Sequence, residues 1–155
     1  MTRSELLKLH NFTAGLDDSR IARLAALARE TAFSENQLIL RTGQQSRYFY
    51  LLTSGSVCIE VSSQTFAVCI QSLGPGDAFG WSALLDQHDT LFQVRARERS
   101  TALCFSGADL AACFHEDPEL ATELLRRTLR LAAGRVQATE VRLGELCGLR
   151  MDTAT

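Results

Sequence analysis

The sequence predicts an α+β protein, mainly β: a jelly roll of the double-stranded β-helix kind, with helices before it and a long helix after it. Three observations carry that prediction. The apolar period is helical up to about residue 30 and strand-like from 37 to 73. The strand-like stretches are short, evenly spaced and separated by turn residues. Beyond Asp117-Pro118 the helical period returns and holds for about thirty residues.

Each element has its own signal. Leu6, Leu7 and Leu9, then Ile21, Leu24, Leu27 and Ala28, recur at helical spacing over residues 4–30, and Asp17 or Asp18 can cap the second helix. Leu38 and Leu40, Phe49 and Leu51, Val57, Ile59 and Val61, and Phe66, Val68 and Ile70 recur at every second position. The turns between them fall at Thr42-Gly43, Ser54-Gly55 and Ser62–Gln64. Two further strands are expected over about 91–97 and 100–106, with Arg95, Arg97 and Arg99 sharing a solvent face. Asp117-Pro118 starts the last helix with a capping side chain and a proline at the first helical position. At 1.5 Å per residue, thirty residues reach about 45 Å, longer than a small protomer needs for its own core.

That helix carries two faces. Leu125, Leu129, Ala132, Val136, Thr139, Leu143 and Leu146 follow one another at steps of 4, 3, 4, 3, 4 and 3, a heptad seam that predicts a homodimer through two such helices. Leu120, Leu124 and Leu131 form a second set expected to face the roll.

The 155 residues are expected to form one domain: N-terminal helices over 1–35, the roll over 36–106, and C-terminal helices over 107–150. A net charge of −2 gives no basic excess for nucleic-acid binding. No apolar run is long enough to span a membrane, and Met1–Glu5 leads into an amphipathic segment, so the reading is cytoplasmic with no membrane partner. The five cysteines, Cys58, Cys69, Cys104, Cys113 and Cys147, form no C-x-x-C pair and are expected to be buried free thiols. If the hairpin turns through Ser63-Gln64, Cys58 stands directly opposite Cys69, and a redox pair is the minority reading.

The stretch Leu73-Gly74-Pro75-Gly76-Asp77-Ala78-Phe79-Gly80-Trp81-Ser82-Ala83-Leu84-Leu85 combines a glycine-rich turn with a short apolar helix. Its backbone depends on Gly74, Gly76 and Gly80. It resembles the phosphate-binding cassette of the cyclic-nucleotide-binding domain family, and Gly43, Tyr50, Gly55 and Val57 resemble the same family's strand pattern. The resemblance covers nearly the whole chain and implies the cyclic-nucleotide-binding-type β-roll. Phe79, Gly80, Ala83, Leu84 and Leu85 fit the cassette, but Trp81 stands where the family has a ribose-binding carboxylate, and Thr90 where it has the phosphate-binding arginine.

Burying a cyclic phosphate without a bidentate cation is costly. No cofactor is therefore expected, and tight cAMP or cGMP binding is disfavoured. Arg135–Thr139 resembles the part of the family's dimer helix that reaches the base, which implies Thr139 as the ligand-facing residue; Arg135 could replace the missing cation. The expected ligand set is Phe79, Gly80, Trp81, Ser82, Thr90, Leu91, Arg135 and Thr139, with Leu73 and Leu84 as further apolar walls. Only seven residues follow Gly148, so no helix-turn-helix and no direct DNA binding are expected.

Enzymatic function is not expected. His10, His88 and His115 are scattered, no metal-ligating constellation appears, and a cupin-like metal site is excluded on that ground. His88 as an axial haem ligand is the weaker reading beside a solvated loop histidine. The function expected is a small-molecule-sensing regulatory domain, with an unknown effector, that signals through the dimer helix to a partner protein. The rival is a ligand-free dimeric adaptor with a relic pocket, filled by Trp81.

Overall fold

Two four-stranded antiparallel sheets form the roll in the computed structural model, which describes residues 1–85 and 91–149. The chain runs through α1 (Arg3–Leu9), α2 (Asp18–Leu27), β1 (Arg29–Phe33), β2 (Leu38–Leu40), β3 (Tyr48–Ser54), β4 (Val57–Ser62), β5 (Ala67–Leu73) and β6 (Ala78–Phe79). A 3₁₀ turn (Trp81–Leu84) follows, then β7 (Phe92–Ala96), β8 (Ser100–Ser106), α3 (Gly107–Glu116) and α4 (Pro118–Leu146). One sheet has the order β1-β8-β3-β6 and the other β2-β7-β4-β5. No helix among the described residues is long and apolar enough to cross a membrane.

The β3 run Phe49-Tyr50-Leu51-Leu52 is apolar without interruption because both of its faces are buried. Phe49 and Leu51 point to a core shared with Leu7, Ile21, Leu24, Phe105 and Leu120 under the helices. Tyr50 and Leu52 point into the roll, beside Phe33, Ile59, Phe79 and Val94. β8 divides in the same way, with Leu103 and Phe105 on the helix side and Ala102 and Cys104 inside.

The helical start is two helices, each with its own cap. The Thr2 hydroxyl accepts from the Glu5 N–H while Glu5 accepts from the Thr2 N–H, and the Asp17 carboxylate accepts from the Arg20 N–H. Between them, His10 is buried and joins this region to β3: its Nδ1 accepts from the Phe12 N–H at 3.1 Å, and its Nε2 lies 3.0 Å from the Leu52 carbonyl. The helical span ends earlier than expected. β1 occupies Arg29–Phe33, overlapping the end of the 4–30 helical stretch and lying inside the 1–35 helical segment. Its sequence does not alternate because only Phe33 is buried; its ladder to β8, from Arg29 opposite Cys104 to Phe33 opposite Ser100, fixes it as a strand.

Two other expectations change. Arg95 does not share a bare solvent face with Arg97 and Arg99: its Nε donates to the buried Glu60 carboxylate at 3.0 Å and its guanidinium to the Asn36 carbonyl. Cys58 and Cys69 are not free thiols but a disulfide with Cα atoms 6.0 Å apart. Nor do they stand directly opposite. The hairpin closes with Ser62 opposite Ala67, and the register slips between Ile59 and Glu60, so Cys58 faces Ser72 and Cys69 faces Glu60. Cys104 and Cys113 are buried and free, whereas Cys147 is free but exposed.

Asp117 caps α4 by accepting from the Leu120 N–H at 3.2 Å and is gripped by Arg20 through two bonds of 3.0 and 3.1 Å. Those bonds from Arg20 hold its carboxyl below the usual carboxylate range. The 29 residues of α4 span about 44 Å. Leu120 and Leu124 are buried and Leu131 packs partly on the helix-side core. Leu125, Leu129, Val136, Leu143 and Leu146 lie exposed on the single protomer, with Ala132 and Thr139 partly covered.

Candidate functional site

The cassette enters the roll along β6, where Ala78 pairs with Leu51 and Phe79 with Tyr50. The Phe79 ring is fully buried and stacks on Tyr50 at 4.8 Å between centroids. Gly80 then takes a left-handed conformation, φ 81° and ψ 24°, and starts the 3₁₀ turn. A Cβ there would come within 2.5 Å of the Tyr48 carbonyl oxygen, so Gly80 is required by its approach to β3 as well as by its φ. Gly76 also has a positive φ, but Gly74 does not, and a Cβ on Gly74 would meet open space; the backbone does not depend on it.

Ser82 is buried, and its hydroxyl accepts from the Ser46 N–H at 3.0 Å while its carbonyl accepts from the Gln45 amide at 2.9 Å. These bonds lash the turn to the segment before β3. Trp81 is half-buried; its ring meets the helix-side core as well as the pocket.

A small cavity of about 30 Å³ lies at this point, lined by Phe79 to Ser82 from the cassette, by Leu40, Ile59, Phe92 and Val94 from β2, β4 and β7, and by Arg135 from α4. It has room for a water or two. Arg135 is the one cation among the described residues that line it. The guanidinium Nε donates to the Gln71 side-chain oxygen of β5 at 2.9 Å, and its carbon lies 5.9 Å from the Phe92 ring centre. Burial pushes its pKa down to about 10. No carboxylate pairs with Arg135 among the described residues.

Of the expected ligand residues, the fold brings together Phe79, Gly80, Trp81, Ser82 and Arg135. It does not bring in Leu91, which is 74 % exposed, or Thr139, whose hydroxyl donates to the Arg135 carbonyl at 2.7 Å one turn back in its own helix. Leu73 is buried in the core inside the roll, and Leu84 packs, partly buried, against the helix-side core. Thr90 and His88 lie outside the described residues. Gln71 was not foreseen: its role depends on where α4 lies against β5, which no local pattern reports. Ile59 and Val94 were visible as inward strand positions but not as pocket walls. His115 is exposed at the end of α3, and no group of three or more potential metal ligands occurs among the described residues.

Comparison with known proteins fits this architecture. A family model described as "Cyclic nucleotide-binding domain" matches residues 30–117. A "Putative potassium channel protein" from Rhodopseudomonas palustris is 28% identical over 104 residues, which is 67% of this chain but 25% of the relative, so the chain spans about a quarter of that protein. Among solved structures, a "Putative Cyclic nucleotide-binding protein" from Geobacter metallireducens is 25% identical, with a TM-score of 0.75 over 88% of this chain and 99% of the other. A cyclic nucleotide-binding domain from Methylobacillus flagellatus is 17% identical, with a TM-score of 0.77 over 99% of this chain and 85% of the other.

Proposed function

The chain belongs to the cyclic nucleotide-binding domain family, and on that premise we propose that it is a cytoplasmic, non-enzymatic regulatory module. Its pocket takes a small effector bearing a single anionic group, held by Arg135. It does not hold cAMP or cGMP tightly. It pairs with a second copy through the α4 seam and passes its state to a partner protein or to a further domain of a longer chain.

The observation that carries this reading is Arg135. A guanidinium drawn partly out of water, with a neutral amide as its hydrogen-bond acceptor, gains from an anion placed against it. Its position matters equally. It reaches the cassette from the helix that bears the seam, so a ligand that binds roll and guanidinium together favours one placement of α4 over another. The size of the cavity argues against a whole nucleotide. Pockets for such ligands run to roughly 300–1,000 Å³, about ten times or more the space present.

That same tightness favours the second reading, a ligand-free adaptor. One experiment separates the two. A thermal-shift screen of small carboxylates and phosphate esters, with cAMP and cGMP alongside, is run on wild type, on Arg135→Gln and on Trp81→Glu with Thr90→Arg. The proposal expects a compact anion to raise the midpoint of wild type and not of Arg135→Gln. If nothing shifts wild type while the double variant gains cAMP binding, the adaptor reading holds. Micromolar cAMP binding to wild type would overturn the effector class.

A further inference from the structure

The Cys58–Cys69 bridge sits at a mechanically sensitive place. β5 is the edge of its sheet, paired with β4 and in contact with α4. The β4–β5 ladder slips between Ile59 and Glu60, leaving Ile70 as the extra residue on β5. The bridge spans that slip. Cys58 belongs to the register on the Ser72 side of it, and Cys69 to the register on the Glu60 side. The covalent link therefore holds the two strands where their hydrogen-bonded ladder is interrupted.

The residues next to Cys69 are the ones that meet α4. Ile70 lines a groove of about 330 Å³ with Gly134, Ala138, Val141 and Arg142. Gln71 accepts the hydrogen bond from Arg135. One or two residues therefore separate the slip from the C-terminal half of the helix.

The two sulfurs differ in access. Cys58 is fully buried, whereas Cys69 is partly exposed and has the Ser72 hydroxyl 3.8 Å from its sulfur. Attack from solvent is directed to Cys69.

We propose that Cys58–Cys69 is a reversible thiol–disulfide site that sets how firmly β5 holds the C-terminal half of α4. The co-reactant is a dithiol reductant. One of its thiolates attacks the Cys69 sulfur, the Cys58–Cys69 bond breaks, and Cys58 leaves as a thiolate that takes a proton from water. The second thiol of the reductant, as its thiolate, then closes onto the first and releases Cys69, which is protonated in turn. Two electrons pass to the pair, and the reductant leaves as a cyclic or intramolecular disulfide. The inference stands whether or not the pocket has an effector, because its readout is the helix.

The test uses the full chain with and without dithiothreitol. Thiol titration after denaturation should count three free cysteines in the oxidised protein (Cys104, Cys113 and Cys147) and all five after reduction. Amide hydrogen exchange is followed on both forms. Reduction is expected to speed exchange at least tenfold over residues 67–73 and 135–146, and to leave α2 and the first turns of α4 unchanged. Cys58→Ala with Cys69→Ala should reproduce the reduced pattern. Gln71→Leu, with both cysteines intact and bonded, should already loosen 135–146, and reduction should then add less than twofold there. A rise in exchange across the whole molecule, a rise confined to the β4–β5 hairpin, or a bridge that resists dithiothreitol until the chain unfolds would each make the bond a structural staple and overturn the proposal.

Discussion

Helix α4 closes two cores and closes them differently. Its first half buries Leu120 and Leu124 against the helix-side core, in one cluster with Ile21, Phe49 and Leu51. Its second half reaches the roll through Ile70 and through Arg135, whose guanidinium meets the Gln71 amide and the Phe92 ring. Apolar contact over a continuous face is strong and slow to release. Polar contacts beside a small cavity are weaker and can be exchanged for a ligand. The contrast teaches that one helix can be an anchor at one end and a lever at the other, with the division falling near Leu131.

The comparison is broken most forcefully at the seam. Val136 and Leu143 are 56% and 61% exposed on the protomer, so their apolar side chains lack cover that a second copy would supply. Replacing both with glutamate places like charges across the two-fold axis of the proposed dimer. The expected result is a monomer, with dimer affinity reduced at least a thousandfold, on the order of 4 kcal/mol. Protomer stability should change by no more than about 0.5 kcal/mol, as for exposed sites in general. Sedimentation equilibrium reads the first quantity and urea unfolding the second. A double variant that still sediments as a dimer removes the seam.

The anchor half is sharpened by a smaller change. Leu120→Ala deletes a fully buried side chain and leaves a void in the helix-side core. It should cost about 3 kcal/mol of stability. Leu129→Ala, made in the monomeric double-glutamate background, should cost no more than about 0.5 kcal/mol, since Leu129 is 69% exposed. Equal shifts in urea midpoint for the two would mean that the buried and exposed faces of α4 are not distinct.

Much of this division was legible in the sequence, and the reasons differ by element. The two leucine sets of α4 are separable because helical period alone assigns faces. The roll was legible because turns punctuate short apolar runs. β1 was hidden because an edge strand with one buried residue carries no alternation, and its pairing with β8 is non-local. The Cys58–Cys69 bond was visible only as a possibility, since the bulge that displaces the register has no sequence mark of its own. Within the site, Phe79 and Gly80 are local features of the cassette and were readable from it. Arg135 and Thr139 lie in one motif, and both were candidates. Only the rotation of α4 against β5 decides that Arg135 enters the pocket and that Thr139 turns back on its own helix.

The smallest expected effect is a pH dependence confined to the anchor side. The His10 ring accepts from the Phe12 N–H through Nδ1, so it must carry its proton on Nε2, directed at the Leu52 carbonyl. Burial pushes its pKa below the ordinary value near 6.5. The Leu52 and Asp77 backbone contacts and the Asp77 charge pull the other way and are outweighed. As pH falls through about 6.5, the unfolded chain takes up a proton at this position and the folded chain does not. By linkage the unfolded state is then favoured, so stability is complete above that pH and declines toward the lower, folded-state value. The carboxylates of Asp117 and Glu123 are held below their usual range, and their own losses come at still lower pH. Urea midpoints measured between pH 8 and pH 5 should fall for wild type and fall less steeply for His10→Gln, which keeps a polar side chain without the titration. Exchange in the first half of α4 should rise over the same interval, with the second half tracking it no more than global unfolding requires. If His10→Gln retains the full slope, the proton is taken up elsewhere and the brace between the helical start and β3 is not what pH acts on.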